Sequence, residues 1–140
     1  MKISEIFVTV DIVLIRKLID DYELLLIKRR NEPFKDNWAL PGGFVDKNED
    51  LETAAIRELV EETSITVSEL EQLKAFGKPF RDPRNHVVSV AFFGIVDKNI
   101  VAKAADDAKE AKWFSVKELP KLAFDHDEII NFALSKHKLK

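Results

Sequence analysis

The residues with the clearest chemical potential are three glutamates in a short stretch of predicted helix. Glu58, Glu61 and Glu62 come soon after the glycine pair Gly42-Gly43. Like charges three or four residues apart destabilise an isolated helix by about 0.2 to 0.5 kcal/mol per pair. We therefore expect a cation to lie against these carboxylates, although a solvated helix face is the commonest position for a glutamate.

The spacing around these glutamates resembles the signature of a known family. Gly43 is followed after five residues by Glu49 and, after seven more, by the sequence Arg57-Glu58-Leu59-Val60-Glu61-Glu62-Thr63-Ser64-Ile65. This pattern resembles the Nudix box, with Ser64 in place of the family's glycine just after the helix. A left-handed conformation there costs a non-glycine residue about 1 to 2 kcal/mol. Residues 38–43 and the pair Trp113-Phe114 also look like Nudix proteins, so the resemblance spans most of the chain.

The resemblance implies hydrolysis of a nucleoside diphosphate linked to another group, with Mg²⁺ or Mn²⁺ as cofactor. By motif position, Glu58 and Glu62 are the principal metal ligands, and Glu61 completes the shell or holds a metal-bound water. The carbonyl of Gly42 is a further ligand, because a glycine lets the backbone approach an ion closely. The alternative for Gly42 is a purely structural turn.

Two further residues of the box resemble a supporting pair. Arg57 and Glu49 are expected to brace the box loop against its helix and so to orient the catalytic groups. A second interpretation makes Arg57 the i, i+4 partner of Glu61, an exposed pair worth a few tenths of a kcal/mol. The two interpretations are compatible.

Substrate specificity is expected to depend on a loop after the fourth predicted strand, at residues 70–78. This loop and residues 123–126 resemble the ADP-ribose pyrophosphatase branch of the family; the loop reads Phe80-Arg81-Asp82-Pro83-Arg84-Asn85-His86. Arg81 or Arg84 is the candidate for binding a phosphate or a terminal ribose, and Phe80 for stacking on adenine. His126 is a further candidate substrate-binding residue. The alternative is a surface loop with ordinary salt bridges.

The base that activates water is not selected by any spacing rule. Glu61 in the box is one candidate. The others are the acids of a predicted loop before Trp113, namely Asp106, Asp107 and Glu110, among which we favour Glu110.

Three functional hypotheses follow from these residues. The first is an enzyme that splits ADP-ribose into AMP and ribose 5-phosphate. The second keeps the chemistry but takes an oxidised nucleotide, NADH or a dinucleoside polyphosphate. The third is a non-catalytic ADP-ribose sensor of the kind that stands beside a DNA-binding domain, for which we expect this chain to end too soon. By resemblance, we also expect a homodimer.

Composition limits the class of protein. The chain has 140 residues, a net charge of −3 and no cysteine. We expect one domain over residues 1–140, a cytoplasmic location and no binding to duplex nucleic acid. The apolar run from Ile6 to Ile15 is too short to span a bilayer, so no membrane association is expected.

The elements that must position these residues follow from hydrophobic periodicity. Strands are predicted at 7–15, 22–28, 38–40, 70–78, 87–96 and 111–115, with a turn at 41–43, a helix that begins after Asp50 and a last helix at about 125–135. In the first helix, Ile56, Leu59, Val60 and Thr63 are expected to pack, while another face presents the carboxylates. This order predicts an α/β fold, a Nudix-type α/β/α sandwich with a mixed β-sheet.

Overall fold

The computed structural model describes residues 2–139, and its central element is the strand β1 (Phe7–Lys17). The middle of β1 is buried on both faces, as its almost continuous apolar sequence favours. Because side chains alternate along a strand, Ile12 and Leu14 contribute to one core cluster, whereas Val13 and Ile15 contribute to another. One strand therefore supplies hydrophobic residues to both sides of the sheet.

The other elements form a single mixed sheet and two helices. They are β2 (Tyr22–Arg29), β3 (Trp38–Ala39), β4 (Gly42–Phe44), α1 (Leu51–Thr63), β5 (Glu71–Phe76), β6 (Val87–Val96), β7 (Ala108–Ser115) and α2 (His126–Lys136). The strand order is β3-β2-β1-β6-β5, with β4 paired to β1 and β7 paired to β2. The β1 and β6 strands are parallel, and the other pairs are antiparallel.

The two helices cover opposite faces of this sheet. Ala55 and Leu59 of α1 pack in the cluster that contains Ile12. Ile129 and Ile130 of α2 pack in the cluster that contains Val13. The predicted α/β/α sandwich is confirmed. Neither helix within residues 2–139 is long and apolar enough to cross a membrane.

The strands β1 and β2 pair only near their connecting turn. Ile15, Arg16 and Lys17 are partnered with Leu24, Glu23 and Tyr22. Farther along, β4 pairs with β1 at residues 9–11, and β3 pairs with β2 at residues 27–28. The two long strands therefore separate, and the short strands occupy the edges that they leave. The predicted turn at 41–43 is wrong in this respect, because Gly42 and Gly43 belong to β4.

The ends of α1 follow the local sequence. The carboxylate of Asp50 accepts a hydrogen bond from the Glu52 N–H at 3.1 Å and caps the helix, which confirms the predicted start after Asp50. Ser64 adopts the left-handed conformation with φ of 63°, and its N–H donates to the Val60 carbonyl at 2.9 Å. The Ser64 hydroxyl donates to the Lys103 carbonyl at 3.0 Å, a bond that a glycine does not make.

The predicted packing face of α1 is partly wrong. Val60 is 39% exposed, whereas Glu58 and Glu62 are 9% and 4% exposed. Leu59 and Thr63 are buried as predicted. The helix is therefore rotated so that two carboxylates, rather than Val60, face the rest of the molecule.

Candidate functional site

A polar cleft opens where β1 and β2 separate, with a volume of about 410 Å³. Its walls contain the box glutamates, the glycine pair of β4, and residues that follow β2, β5 and β7 in the chain. This volume is in the range of small-molecule sites, about 300 to 1,000 Å³. The cleft is the candidate functional site.

Two carboxylates of α1 reach the cleft through the glycine pair. Oε1 of Glu62 accepts a hydrogen bond from the Gly42 N–H at 2.8 Å. A Cβ atom on Gly43 would lie only 2.6 Å from the Glu58 carboxylate carbon. A side chain at Gly43 would force the Glu58 carboxylate to move, so the glycine allows Glu58 to approach the strand.

Burial makes these two carboxylates costly to ionise. Desolvation raises the pKa of Glu62 to about 8, reinforced by the negative charges of Glu58, Asp107 and Asp11 and opposed by the Gly42 N–H. Desolvation also raises the pKa of Glu58 to about 7, although Arg57 opposes the shift. Adjacent, partly desolvated carboxylates are a donor set that suits a hard divalent cation.

Arg57 is the counter-ion of two glutamates of the Nudix-type motif. Its Nη1 donates to Glu58 at 3.0 Å and to Glu61 at 3.2 Å. Among residues 2–139, no three acidic or histidine side chains are already gathered around a point that would hold a metal ion. The donor chemistry therefore fits a metal ion, and Arg57 lies against two of the carboxylates that would hold it.

Arg57 also anchors the loop before the helix. Its Nε and Nη2 donate to the two oxygens of Glu49 at 2.7 and 2.9 Å, and Nη2 donates to the Phe44 carbonyl at 3.2 Å. These hydrogen bonds lower the pKa of Glu49 to about 2. The expected contacts are present, since Arg57 both braces the loop and pairs with Glu61 at i, i+4.

Arg81 lines the cleft, but a carboxylate already neutralises it. Its side chain is 4% exposed, and its Nε and Nη2 donate to Asp125 at 2.9 and 2.6 Å. Asp125 is the N-cap residue of α2. Arg81 therefore ties the loop between β5 and β6 to the start of α2.

His126 lines the cleft, but its side chain is almost completely buried. Its Nδ1 accepts a hydrogen bond from the Leu40 N–H at 3.0 Å, and burial lowers its pKa. The neutral ring therefore carries its proton on Nε2, which lies 3.5 Å from Oδ1 of Asp11. The other oxygen of Asp11 accepts a hydrogen bond from the Ser89 hydroxyl.

Of the remaining specificity candidates, Arg84 lines the cleft, whereas Phe80 does not. Arg84 is paired with Asp82 through two hydrogen bonds, at 3.0 and 2.6 Å. Phe80, predicted to stack on adenine, is 94% exposed and does not line the cleft. Phe44 and Phe124 do line it, and the Arg84 guanidinium lies 5.0 and 5.7 Å from their ring centroids. Two features of the sequence could have indicated them: Phe44 directly follows the glycine pair, and Phe124 lies within residues 123–126.

The acids before Trp113 separate into two groups. Asp106 and Asp107 line the cleft, as does Glu61. Glu110 was predicted to lie in a loop, but it belongs to β7, lies near Lys28 at 3.4 Å and does not line the cleft. The placement of Glu110 is wrong because β7 begins earlier than predicted, at Ala108.

Sequence reasoning missed several charged residues of the cleft, among them an arginine. Arg29, the last residue of β2, is half-buried and lines the cavity, while Arg30 beside it is exposed. The ladder between β2 and β7 shifts register between Lys28 and Arg29. No feature of the Arg29-Arg30 pair in the sequence indicates which of the two faces the cleft.

Comparison with known proteins identifies the domain type and its relatives. A family model described as the NUDIX domain matches residues 7–132. An ADP-ribose pyrophosphatase of Methanocaldococcus jannaschii is 49% identical over 111 residues, which are 79% of this chain and 64% of that protein. An ADPR responsive transcriptional repressor of Acinetobacter baylyi is 36% identical over 118 residues, which are 81% of this chain and 47% of the repressor. The chain thus spans less than two thirds of either relative's length.

Solved structures agree in fold. The NUDIX domain of Shewanella oneidensis NrtR, complexed with ADP ribose, has a TM-score of 0.87 and 32% identity, and the match covers 96% of this chain and 90% of that one. A bifunctional NMN adenylyltransferase/ADP ribose pyrophosphatase of Francisella tularensis, complexed with AMP and a Mn ion, has a TM-score of 0.84 and 32% identity. That match covers 97% of this chain and 43% of the bifunctional protein.

Proposed function

This chain belongs to the Nudix family, and from that premise we propose that it is a pyrophosphohydrolase that cleaves ADP-ribose into AMP and ribose 5-phosphate. The similarity to an ADP-ribose pyrophosphatase at 49% identity supports this substrate over other nucleoside diphosphate derivatives. The ADP ribose in the related NUDIX domain supports it as well.

The observation that carries the proposal is the pair of buried carboxylates on one turn of α1. Glu58 and Glu62 face a polar cleft through a glycine pair, and burial raises the pKa of each. We propose that these two residues, with Glu61 and the carbonyl of Gly42, hold Mg²⁺ or Mn²⁺. When bound, such an ion supplies Lewis-acid chemistry and neutralises the charge of the diphosphate.

The protein's own side chains orient the reactants and accept a proton. Arg57, held by Glu49, fixes the turn of the helix that carries the carboxylates. A water oxygen forms a bond to one phosphorus, the bond from that phosphorus to the bridging oxygen breaks, and the water's proton passes to a base. Glu61, Asp106 and Asp107 line the cleft and are the proposed bases. Glu110 is not among them because of its position.

The test is turnover of ADP-ribose in the presence of Mg²⁺. AMP and ribose 5-phosphate carry terminal phosphates that a phosphatase releases, whereas intact ADP-ribose does not, so released phosphate reports cleavage. Glu62→Gln should lower turnover by about a thousandfold, since several kcal/mol of charge stabilisation depend on the ion. Glu110→Gln, a matched change outside the cleft, should retain wild-type turnover. Equal turnover in wild type and Glu62→Gln would contradict the proposed metal site.

A substrate panel distinguishes the second enzymatic hypothesis. The phosphatase-coupled assay with NADH and with a dinucleoside polyphosphate should give lower kcat/KM than ADP-ribose. For an oxidised nucleoside triphosphate, which a phosphatase attacks directly, release of pyrophosphate is measured instead and should also give a lower kcat/KM. A higher kcat/KM for any of them would support the same hydrolytic chemistry with a substrate other than ADP-ribose.

The non-catalytic alternative is favoured by one observation, the similarity to an ADPR responsive repressor. A sensor would bind ADP-ribose, measured by calorimetry, without cleaving it in the presence of Mg²⁺ or Mn²⁺. Homodimer formation, testable by sedimentation, and a cytoplasmic location stay predictions.

A further inference from the structure

Arg29 differs from the other arginines around the cleft in its partners. Arg57, Arg81 and Arg84 each pair with a carboxylate. The Nε of Arg29 donates to the Pro33 carbonyl at 2.7 Å, a neutral acceptor. Within residues 2–139, Arg29 has no carboxylate at salt-bridge distance, and its two Nη atoms have no hydrogen-bond partner.

The surroundings of Arg29 leave its positive charge incompletely compensated. Burial and repulsion from Arg84 lower its pKa, although Glu62, Asp82 and Asp107 exert an opposing attraction. The guanidiniums of Arg29 and Arg84 both lie near the ring of Phe124, at 5.1 and 5.7 Å from its centroid. An arginine stays protonated at neutral pH, so removing it from water without an anionic partner is unfavourable.

The position of this guanidinium is fixed by the backbone around it. The Arg29 N–H donates to the Asn37 carbonyl and the Arg29 carbonyl accepts from the Asp36 N–H, each at 2.9 Å. Together with the bond from Nε to Pro33, these contacts orient a planar fork of donors at the wall of the cleft. Such a fork matches the oxygens of a phosphate and binds them in a bidentate manner.

We propose that Arg29, rather than Arg81 or Arg84, is the residue that binds a phosphate of the nucleotide substrate. This inference deepens the proposed function and rests on it for the identity of the ligand. The class of ligand follows from the chemistry: an anion with a phosphate group, recognised by charge and by paired N–H donors. Arg81 and Arg84 instead shape the wall, since Asp125 and Asp82 already accept hydrogen bonds from Nε and Nη2 of these two arginines.

Calorimetric titration without divalent cations separates this role from catalysis. ADP-ribose and AMP are titrated in EDTA into wild type, Arg29→Gln, Arg29→Lys and Arg30→Gln. Arg29→Gln should weaken both ligands about ten- to a hundredfold, the effect of losing charged hydrogen bonds. Arg30→Gln makes the same chemical change at the exposed neighbour and should bind like wild type. The affinity of Arg29→Lys should lie between those of wild type and Arg29→Gln, because an ammonium group retains the positive charge but lacks the paired donors of a guanidinium.

The salt dependence of binding distinguishes a phosphate-binding Arg29 from a merely structural one. Adding salt should weaken AMP binding more in wild type than in Arg29→Gln, because only wild type has the charge that salt screens. If Arg29→Gln does not fold by circular dichroism, the weaker binding of Arg29→Lys relative to wild type carries the test. Unchanged affinity in both Arg29 variants, an equal loss in Arg30→Gln, or no nucleotide binding by wild type would overturn the inference.

The outcomes also separate this inference from the proposed function. Loss of AMP binding in Arg29→Gln together with no hydrolysis of ADP-ribose by wild type would refute the enzyme and retain the phosphate-binding residue. Rapid hydrolysis of ADP-ribose by wild type, with full binding and turnover in Arg29→Gln, would support the enzyme and refute Arg29 as the phosphate-binding residue.

Discussion

Replacing Glu62 by glutamine should change how the stability of the metal-free protein depends on pH. The pKa of Glu62 is raised from 4.5 to about 8, so the folded protein keeps a proton there that the unfolded chain has lost. Unfolding then releases a proton between about pH 4.5 and pH 8, and the free energy of unfolding falls as the pH rises through that window. Glutamine is neutral at every pH and keeps the acceptor for the Gly42 N–H.

The size of this effect follows from the shift. At 1.36 kcal/mol per pKa unit, the rise from 4.5 to about 8 corresponds to a loss of about 5 kcal/mol in the free energy of unfolding. This value is an upper limit, because side-chain rotation and water entry reduce the cost of the buried charge. Glu58 titrates in both proteins, so the difference between their stability curves reports Glu62. The variant should match wild type near pH 5 and exceed it by about 1 to 5 kcal/mol near pH 9.

The assay is urea unfolding at 25 °C in EDTA, at intervals from pH 5 to pH 9. Glu69→Gln, an exposed glutamate, serves as the control and should follow the wild-type curve. A wild-type stability that stays level or rises from pH 5 to pH 9 relative to Glu62→Gln would refute the reasoning. It would mean that Glu62 is ionised in the folded protein at no cost.

Three further predictions concern the metal, the helix exit and the aromatic wall. Mg²⁺ binding measured by calorimetry should strengthen from pH 6 to pH 8.5, because the ion competes with protons on carboxylates of raised pKa; equal affinity at both pH values would contradict this. Ser64→Ala should lower the free energy of unfolding in urea by about 1 kcal/mol through loss of the bond to Lys103. Ser64→Gly should be nearly neutral, because relief of about 1 kcal/mol of left-handed strain offsets the same loss, and equal losses in the two variants would show that the strain is absent. Phe124→Ala should weaken AMP binding in calorimetry, whereas Phe80→Ala should not; the reverse result would restore the stacking role predicted from the sequence.

Features that depend on local sequence were predictable. Asp50 caps α1 because a short acidic side chain reaches the free N–H groups of the first turn. The predicted bounds of β6 coincide with the observed Val87–Val96, because a compact apolar run is buried along most of its length. The contacts among Glu49, Arg57 and Glu61 also follow from short separations along the chain.

Features that depend on distant partners were not predictable. Periodicity does not reveal that Glu62 is buried, because its partner Gly42 reaches it only when β4 pairs with β1. Arg81 is neutralised by Asp125, which lies 44 residues later. Arg29, unlike its exposed neighbour Arg30, lines the cleft at the end of β2, where the ladder with β7 shifts register. In these three cases, contacts between residues distant in the sequence determine which charged side chains are buried or paired.

The unequal pairing of β1 divides the molecule into a fixed part and an adaptable part. Along β6 the strand has ten consecutive partners, whereas along β2 it has three. The residues that connect β2 to β3 and β5 to β6 contribute to the cleft but not to the two core clusters around β1. Sequence changes in those connections that leave Arg81 and Asp82 in place should therefore alter ligand preference while the sheet keeps its stability. Engineering of new substrate preferences has its safest starting points there.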